Sequence, residues 1–358
     1  MKDLLNIQKK LLPDLLKVMR KRYEILHQIR LMQPVGRRSL TTTIHLTERV
    51  LRSEAEFLRA QGLIDVSTAG MTLTDEGSRV LQEMEQIIRE LFGITELERK
   101  LSDLLGIKEV IVVTGDTDQS GWVKKEMGRA GARVLQQMAV DNQVVAVTGG
   151  SSVLAVAEML TPTPSLKSTT FVPTRGGLDE AVELGANYIA SLMAKNSGGK
   201  YRLLHVPDQL SPEAYETLMR EPHIEKTLAY LRQARIVLHG IGDAKKMAIR
   251  RKSSPEVMKK LEQEEAVGEF FGYYVNKSGS IVHQIPIVGL QLEDLDQIEI
   301  RIAVAGGASK AEAIKAVCAL SPVHVLITDE GAAEEILKSS NFIHVNGKDT
   351  ENKYGDSR

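Results

Sequence analysis

The sequence predicts an α/β chain: an N-terminal winged helix-turn-helix, then a larger domain built on a doubly wound, mainly parallel sheet. Three observations carry that expectation. From Leu104 onward apolar runs alternate with helical patterns, the mark of a sheet covered on both faces. The first 74 residues read helix, helix, turn, helix, hairpin. Charge is split between the two parts: Met1 to Thr74 carry 13 Lys or Arg against 7 Asp or Glu, and the remainder 33 against 40, so a net charge of −1 hides a basic head and an acidic body. A basic head suits a polyanion, and an acidic body does not.

Composition sets the outer bounds. A length of 358 residues with 42% hydrophobic and 26% charged residues is that of an ordinary two-domain globular protein. No segment holds ~18 uninterrupted apolar residues, so no membrane span is expected. The opening MKDLLNIQKKLLPD lacks the apolar run of a secretory signal. One cysteine, Cys318, permits no internal disulfide and fits a reducing, cytoplasmic setting; its helical context makes it a core residue rather than a nucleophile.

Taken in order, residues 1–20 place Leu4, Leu11, Leu12, Leu15, Leu16 and Met19 at helical spacing, a helical arm expected to pack on the next segment, with Pro13 at the first turn of a second helix. Tyr23, Ile25, Leu26 and Ile29 form one face of a helix that ends before Pro34. Arg37 to Ile44 makes a short helix, His45 and Leu46 the turn, and Thr47 to Ala60 a third helix in which Val50, Leu51, Glu54, Phe57 and Leu58 fall along one side, with Val50, Leu51, Phe57 and Leu58 expected to face the core. LIDVST and MTLT then make a two-strand wing. In this arrangement the third helix enters the major groove. Arg49, Arg52 and Ser53, with Thr47 at the helix start, are the candidates for base edges, and Arg37 and Arg38 for phosphates. Residues 75–100 form a helical linker in which Val80, Met84, Ile87, Leu91 and Ile94 recur at steps of four and three, a spacing that suits either a two-helix dimer seam or a face packed on its own domain. Residues 101–344 form the second domain, with strands expected at 110–113, 144–147, 170–172, 203–206, 236–239, 300–305 and 323–327. The polar residues 345–358 read as a disordered tail.

Within the second domain the informative stretch is VVAVTGGSSV, Val144 to Val153: strand, tight loop, helix. The first N–H groups of a helix have no partner inside it, and Gly149 and Gly150 have no Cβ to hold an anion away. That is a phosphate seat, with the hydroxyls of Ser151 and Ser152 beside it. AVAGGASKAEAIKAV, Ala303 to Val317, repeats the pattern and adds Lys310, a cation that is unfavourable near a helix N-terminus unless an anion joins it. Two seats imply a ligand with two phosphates. Arg175, in PTRGG after a strand, can offer a planar fork to a phosphate. Arg250 and Arg251 close a helix whose dipole rewards them without a ligand. Glu269, the lone carboxylate of an apolar stretch, needs a partner; sugar hydroxyls and a salt bridge within the protein serve equally well. HGIGDA lacks the third glycine of a dinucleotide fingerprint. Asp116 and Asp118 show no base or metal pattern and read as turn formers.

The stretches KKLLPDLLKVM, PVGRRSL, TERVLRSE, MTLTDEG, DTDQSGWVKKEMGRA, AVTGG, VPTRGG, YRLLHVP, HGIGDAK, FGYY and AVAGGASKAEAI together resemble the SorC/DeoR-like sugar-binding transcriptional regulators over almost the whole chain. The resemblance implies a repressor of a glycolytic operon with fructose 1,6-bisphosphate as inducer. It also implies an effector domain like the sheet domain of phosphosugar isomerases and glucosamine-6-phosphate deaminases, without their catalysis. Carried over by position, it implies that Gly149, Gly150, Ser151 and Ser152 hold one end of the sugar bisphosphate and that Arg175, Arg250, Glu269 and Lys310 contact the rest. Two positions depart from the family pattern: serines stand at 151 and 152 in place of threonines, and Gly185 replaces a glutamine. Expected partners are operator DNA, the bisphosphate and further copies of the chain, as a dimer and on DNA a tetramer. No metal, cofactor or catalytic residue is expected. An enzyme reading, an isomerase or deaminase fused to a DNA-binding head, stays open with Glu269 as its acid–base candidate, as does a regulator answering to a sugar monophosphate.

Overall fold

The computed structural model of the protein describes residues 11–44, 46–177, 182–207 and 212–348. The expectations for Leu4, His45 and residues 349–358 therefore lie outside the described residues. The chain divides into two compact units, Met1–Glu96 with Ser120–Trp122, and Leu97–Gln119 with Val123–Arg358.

In the first unit, α1 (Pro13–Met32) is one continuous helix with Pro13 in its first turn, where the missing N–H is no loss, so the two helices expected here are joined. Leu11, Leu12 and Leu15 of the expected arm are exposed rather than packed. α2 (Arg37–Ile44) and α3 (Glu48–Ala60) follow, then a wing of β1 (Ile64–Ser67) and β2 (Gly70–Leu73), paired antiparallel from Ile64↔Leu73 to Ser67↔Gly70. Ile25, Ile29, Leu40, Leu51, Leu58, Ile64 and Met71 form one core. The expected inner face of α3 is half right. Leu51 and Leu58 are buried, but Val50 and Phe57 are 36% and 39% exposed, and Ala55 and Glu54 take the inward places. Glu54 can do so because Lys21 and Arg22 of α1 neutralise it, with Arg22 Nε 2.8 Å from its Oε2. The Arg22 guanidinium also covers the Phe57 ring, 3.6 Å from its centroid.

The linker is two helices, α4 (Asp75–Leu91) and α5 (Ile94–Leu105), broken where Gly93 adopts φ +74°. Its inward stripe is Leu81, Ile88 and Leu91. Of the proposed seam, Leu91 and Ile94 are buried within the chain, Val80 and Met84 are half-buried and Ile87 is 48% exposed.

The second unit holds a seven-stranded parallel sheet of β3 (Glu109–Val113), β4 (Val144–Val147), β5 (Thr170–Pro173), β6 (Lys200–Tyr201), β7 (Ile236–Gly240), β12 (Ile300–Val304) and β13 (Val325–Asp329), in the order β3-β13-β12-β7-β4-β5-β6. β4, β5 and β13 are buried at every position, as a sheet covered on both faces requires. The helices that position the site are α6 (Gly121–Met138) and α7 (Ser151–Met159). The strand expected at 203–206 is absent. Pairing with β5 ends at Phe171↔Tyr201, and the Asn187 amide then takes both backbone groups of Leu204, at 3.0 and 2.9 Å, in place of a ladder.

A second, four-stranded antiparallel sheet was not foreseen: β8 (Gly242–Asp243), β9 (Ala266–Phe270), β10 (Tyr273–Asn276) and β11 (Ile281–Gln284), in the order β11-β10-β9-β8. Between β8 and β9 runs the short helix α8 (Ala244–Arg250). After β13 the helix α9 (Glu330–Lys348) extends to Lys348, so residues 345–348 of the expected tail are helical. Extending an existing helix needs only one residue ordered per hydrogen bond, so polar residues can follow it. Among the described residues no helix is long and apolar enough to cross a membrane.

Candidate functional site

The strand order reverses between β4 and β7: from β4 the chain moves outward through β5 and β6 on one side, and from β7 through β12 and β13 on the other, where β3, the first strand of the sheet, forms the edge. Ligands of open α/β sheets sit at the carboxyl ends of strands at such a switch point. A cavity of about 620 Å³ opens there, lined by the ends of β4, β5 and β7, by the end of α8 and by the β9–β10 turn. Its size falls in the range of small-molecule sites, roughly 300–1,000 Å³. Gly149, Gly150, Ser151, Ser152, Arg175, Arg250, Glu269 and Lys310 all line it.

The seat after β4 is built as its sequence suggests. Thr148 ties the loop to β7: its N–H donates to the Leu238 carbonyl at 3.0 Å, and its Oγ1 accepts from the Gly240 N–H at 3.1 Å. A Cβ on Gly149 would stand 2.5 Å from the Leu184 carbonyl oxygen, and Gly150 has φ +110°. Both glycines are therefore required by the backbone. Gly150 caps α7 with no side chain, and the helix's first internal bond runs from the Leu154 N–H to the Gly150 carbonyl, 2.9 Å. The N–H groups of Ser151, Ser152 and Val153 consequently have no acceptor inside the helix. Gly185, where the family pattern has a side chain, directly follows Leu184, another lining residue.

The second glycine loop is not a second seat. The Gly307 N–H donates to Asp329 Oδ2 at 2.8 Å, the Ala308 N–H to Asp116 Oδ1 at 3.4 Å and the Ser309 N–H to Asp118 Oδ2 at 2.8 Å. The protein's own carboxylates thus occupy the anion position that the sequence pattern left open. Asp116 also makes the expected turn, accepting from the Asp118 N–H at 2.8 Å. Only Lys310 of this loop reaches the cavity. Its Nζ donates to the Ile241 carbonyl at 3.1 Å. Burial holds its pKa below the ordinary lysine value; the nearby charges of Lys124 and Lys246 act in the same direction, against Asp118 and Asp243.

Glu269 finds its partner within the protein. Arg251 Nη2 donates to its Oε1 at 2.9 Å, and the Gly272 N–H donates to the same oxygen at 2.9 Å; the side chains are only 8% and 6% exposed. Arg251, read from sequence as a helix-end residue, is therefore part of the site. Arg250 beside it is exposed and lines the cavity, so its place is more than a reward from the helix dipole. Lys252 lines it as well. Five cations, Arg175, Arg250, Arg251, Lys252 and Lys310, thus meet one carboxylate, Glu269, around this space. Behind the Phe270–Phe271 wall His239 is buried, and burial lowers its pKa to about 4.

In the first unit Thr47 is the N-cap of α3, accepting from the Val50 N–H at 3.4 Å. Arg37, Arg38, Arg49, Arg52 and Ser53 are all exposed. Arg52 leans on Glu56 of the same helix, 3.0 Å, an exposed pair worth little. Cys318 is buried and burial pushes its thiol up to about 12, an inert core position.

Residues 89–338 match the family described as "Putative sugar-binding domain", and residues 18–88 match the CggR N-terminal DNA binding domain. The chain is 51% identical to the central glycolytic genes regulator of Priestia megaterium, over 95% of this chain and 100% of that one. It is 49% identical to the protein of the same name from Bacillus subtilis, over 94% and 99%. The structure of a SorC family transcriptional regulator from Enterococcus faecalis superposes with a TM-score of 0.64 at 41% identity, covering 68% of this chain and 99% of that one.

Proposed function

The chain belongs to the SorC family of sugar-binding transcriptional regulators, and from that premise we propose that it represses glycolytic genes and is released from DNA by fructose 1,6-bisphosphate. The observation that carries this reading is the cavity at the strand switch, in which five cations meet one carboxylate at the start of a helix. A bisphosphate brings about four negative charges, and a set of convergent cations with helix N–H groups is what such charge requires. One phosphate rests on the N–H groups and hydroxyls of Ser151 and Ser152, with Lys310 as its point charge. The other lies among the guanidinium groups of Arg175 and Arg250, which replace the discarded second glycine seat. Glu269, already oriented by Arg251, accepts from sugar hydroxyls with the oxygen that Arg251 leaves.

The DNA-binding role falls to the basic first unit: α3 in the major groove with Thr47, Arg49, Arg52 and Ser53 at base edges, and Arg37 and Arg38 on phosphates. The chain acts as a dimer, and as a tetramer on its operator. The effector shifts the DNA equilibrium only by binding better to the conformation or assembly that holds DNA less well. An enzyme reading needs a free acid–base group at the sugar carbons, and Glu269 is committed to a guanidinium and a backbone N–H.

Calorimetry tests the ligand assignment. Fructose 1,6-bisphosphate should bind at least ~10-fold more tightly than fructose 6-phosphate, a difference of about 1.4 kcal/mol, and Lys310→Ala should weaken the bisphosphate. Equal affinity for the two ligands in the unmodified protein would defeat the bisphosphate assignment.

A further inference from the structure

We infer that Lys124 is a second ammonium ligand for the phosphate at the start of α7, a residue that neither the glycine motif nor the cavity-lining cations point to. The inference rests on the proposed effector site and extends it. Lys124 stands on α6 between Val123 and Met127, whose side chains are buried, so the root of its side chain is fixed. Its Nζ lies 3.2 Å from Ser151 Oγ, donating to a hydroxyl of the phosphate seat itself. It also lies close enough to Lys310 to help push that ammonium's pKa down. Among the described residues, neither Lys124 nor Lys310 has a carboxylate at ion-pair distance.

Two ammonium groups beside the positive end of a helix repel one another and the helix dipole. Nothing in the fold needs them together, since Ser151 could hydrogen-bond to water. A bound phosphate turns the arrangement from unfavourable to favourable, with Lys124 moving from Ser151 Oγ onto a phosphate oxygen. An independent sign points to a ligand in the same space. Thr174, fully buried at the end of β5, lines the cavity with an Oγ1 that has no hydrogen-bond partner.

The test is calorimetry on the full chain with fructose 1,6-bisphosphate and, separately, with inorganic phosphate. Lys124→Met should weaken the bisphosphate by about 10-fold or more, the size of one lost charge-assisted hydrogen bond, and should weaken inorganic phosphate in parallel. Lys124→Arg should stay within about 3-fold, because it keeps a cationic donor. Lys246→Met, which removes a nearby charge without the Ser151 contact, should change affinity less than about 3-fold. The melting temperature of ligand-free Lys124→Met should equal or exceed that of the unmodified protein, because a repulsion is relieved; a purely structural lysine would lower it. Lys124→Met binding like the unmodified protein, or losing no more than Lys246→Met, overturns the inference and leaves the effector site standing. An unmodified protein that binds no bisphosphate overturns both. Should the methionine variant not fold, Lys124→Gln and Lys124→Arg carry the same comparison.

Discussion

Replacing Arg251 with methionine should destabilise the sugar-binding unit through Glu269, without removing any apolar packing. The two side chains are nearly excluded from water and lie 2.9 Å apart. At an effective dielectric of ~20 the gross attraction at that distance is about 6 kcal/mol, most of it offset by the desolvation of both ions. Removing one partner of a buried pair leaves the other charge stranded, at about 3–5 kcal/mol. Glu269 keeps the Gly272 N–H, which places the expected loss near the lower end, about 3 kcal/mol. For a unit of this size that is a fall in melting temperature of roughly 6–12 °C. Differential scanning calorimetry on the ligand-free protein reads it directly. Glu269→Gln on the same background should recover about 2 kcal/mol, because the stranded charge is gone. Additive losses in Arg251→Met and Glu269→Gln, with no recovery in the double variant, would refute the coupling on which the orientation of Glu269 depends.

Other consequences follow from the same geometry. His239 stays neutral in the fold with a pKa of about 4, whereas in the unfolded chain it takes up a proton below about pH 6.5. Its contribution is therefore intact above pH 6.5 and is lost as pH falls towards 4, by about 3 kcal/mol; His239→Asn should flatten the acid limb of the melting profile, and parallel profiles would contradict this. The pKa of Lys310 is lowered in the ligand-free protein, and a bound anion raises it again. Bisphosphate affinity should therefore fall as pH rises through the range below 10.5, with proton uptake on binding when calorimetry is run in buffers of different ionisation heat. Binding without proton uptake there would remove Lys310 from the contact. In the first unit, Arg37→Ala should weaken DNA binding uniformly across sequences and reduce the salt slope by about one, whereas Arg49→Ala should cost about 1–3 kcal/mol at one base position and relax specificity there; filter binding on operator and random duplexes separates the two.

What could be read from the sequence was local. The strand–Gly–Gly–Ser–Ser–helix pattern specifies its own geometry, because the Gly150 φ and the close approach of Gly149 to Leu184 leave few alternatives. The winged helix was legible for the same reason: its helices and hairpin follow one another along the chain. The second glycine loop was misread because its anions, Asp116, Asp118 and Asp329, arrive from other strand ends, about 20 to 190 residues away. Arg251 was passed over because a cation at a helix end is already explained by the dipole, and its partner Glu269 lies across the small antiparallel sheet. That sheet carried little signal: β8 has two residues, and β9 is interrupted by Gly268 and Glu269. The exposed Val50 and Phe57 show the converse. Periodicity puts Glu54 on the same side of α3 as these two, and this charged residue holds the inward place because α1 supplies two cations, which α3 alone does not encode.

The decisive measurement is fluorescence anisotropy of the full chain on a labelled duplex from its own promoter region, titrated with fructose 1,6-bisphosphate at fixed salt. The account predicts that saturating bisphosphate raises the Kd for that duplex by at least ~10-fold, about 1.4 kcal/mol of coupling, and that fructose 6-phosphate and the Lys310→Ala variant show little of this effect. An unchanged grip on the duplex, with calorimetry showing the cavity filled, would contradict it.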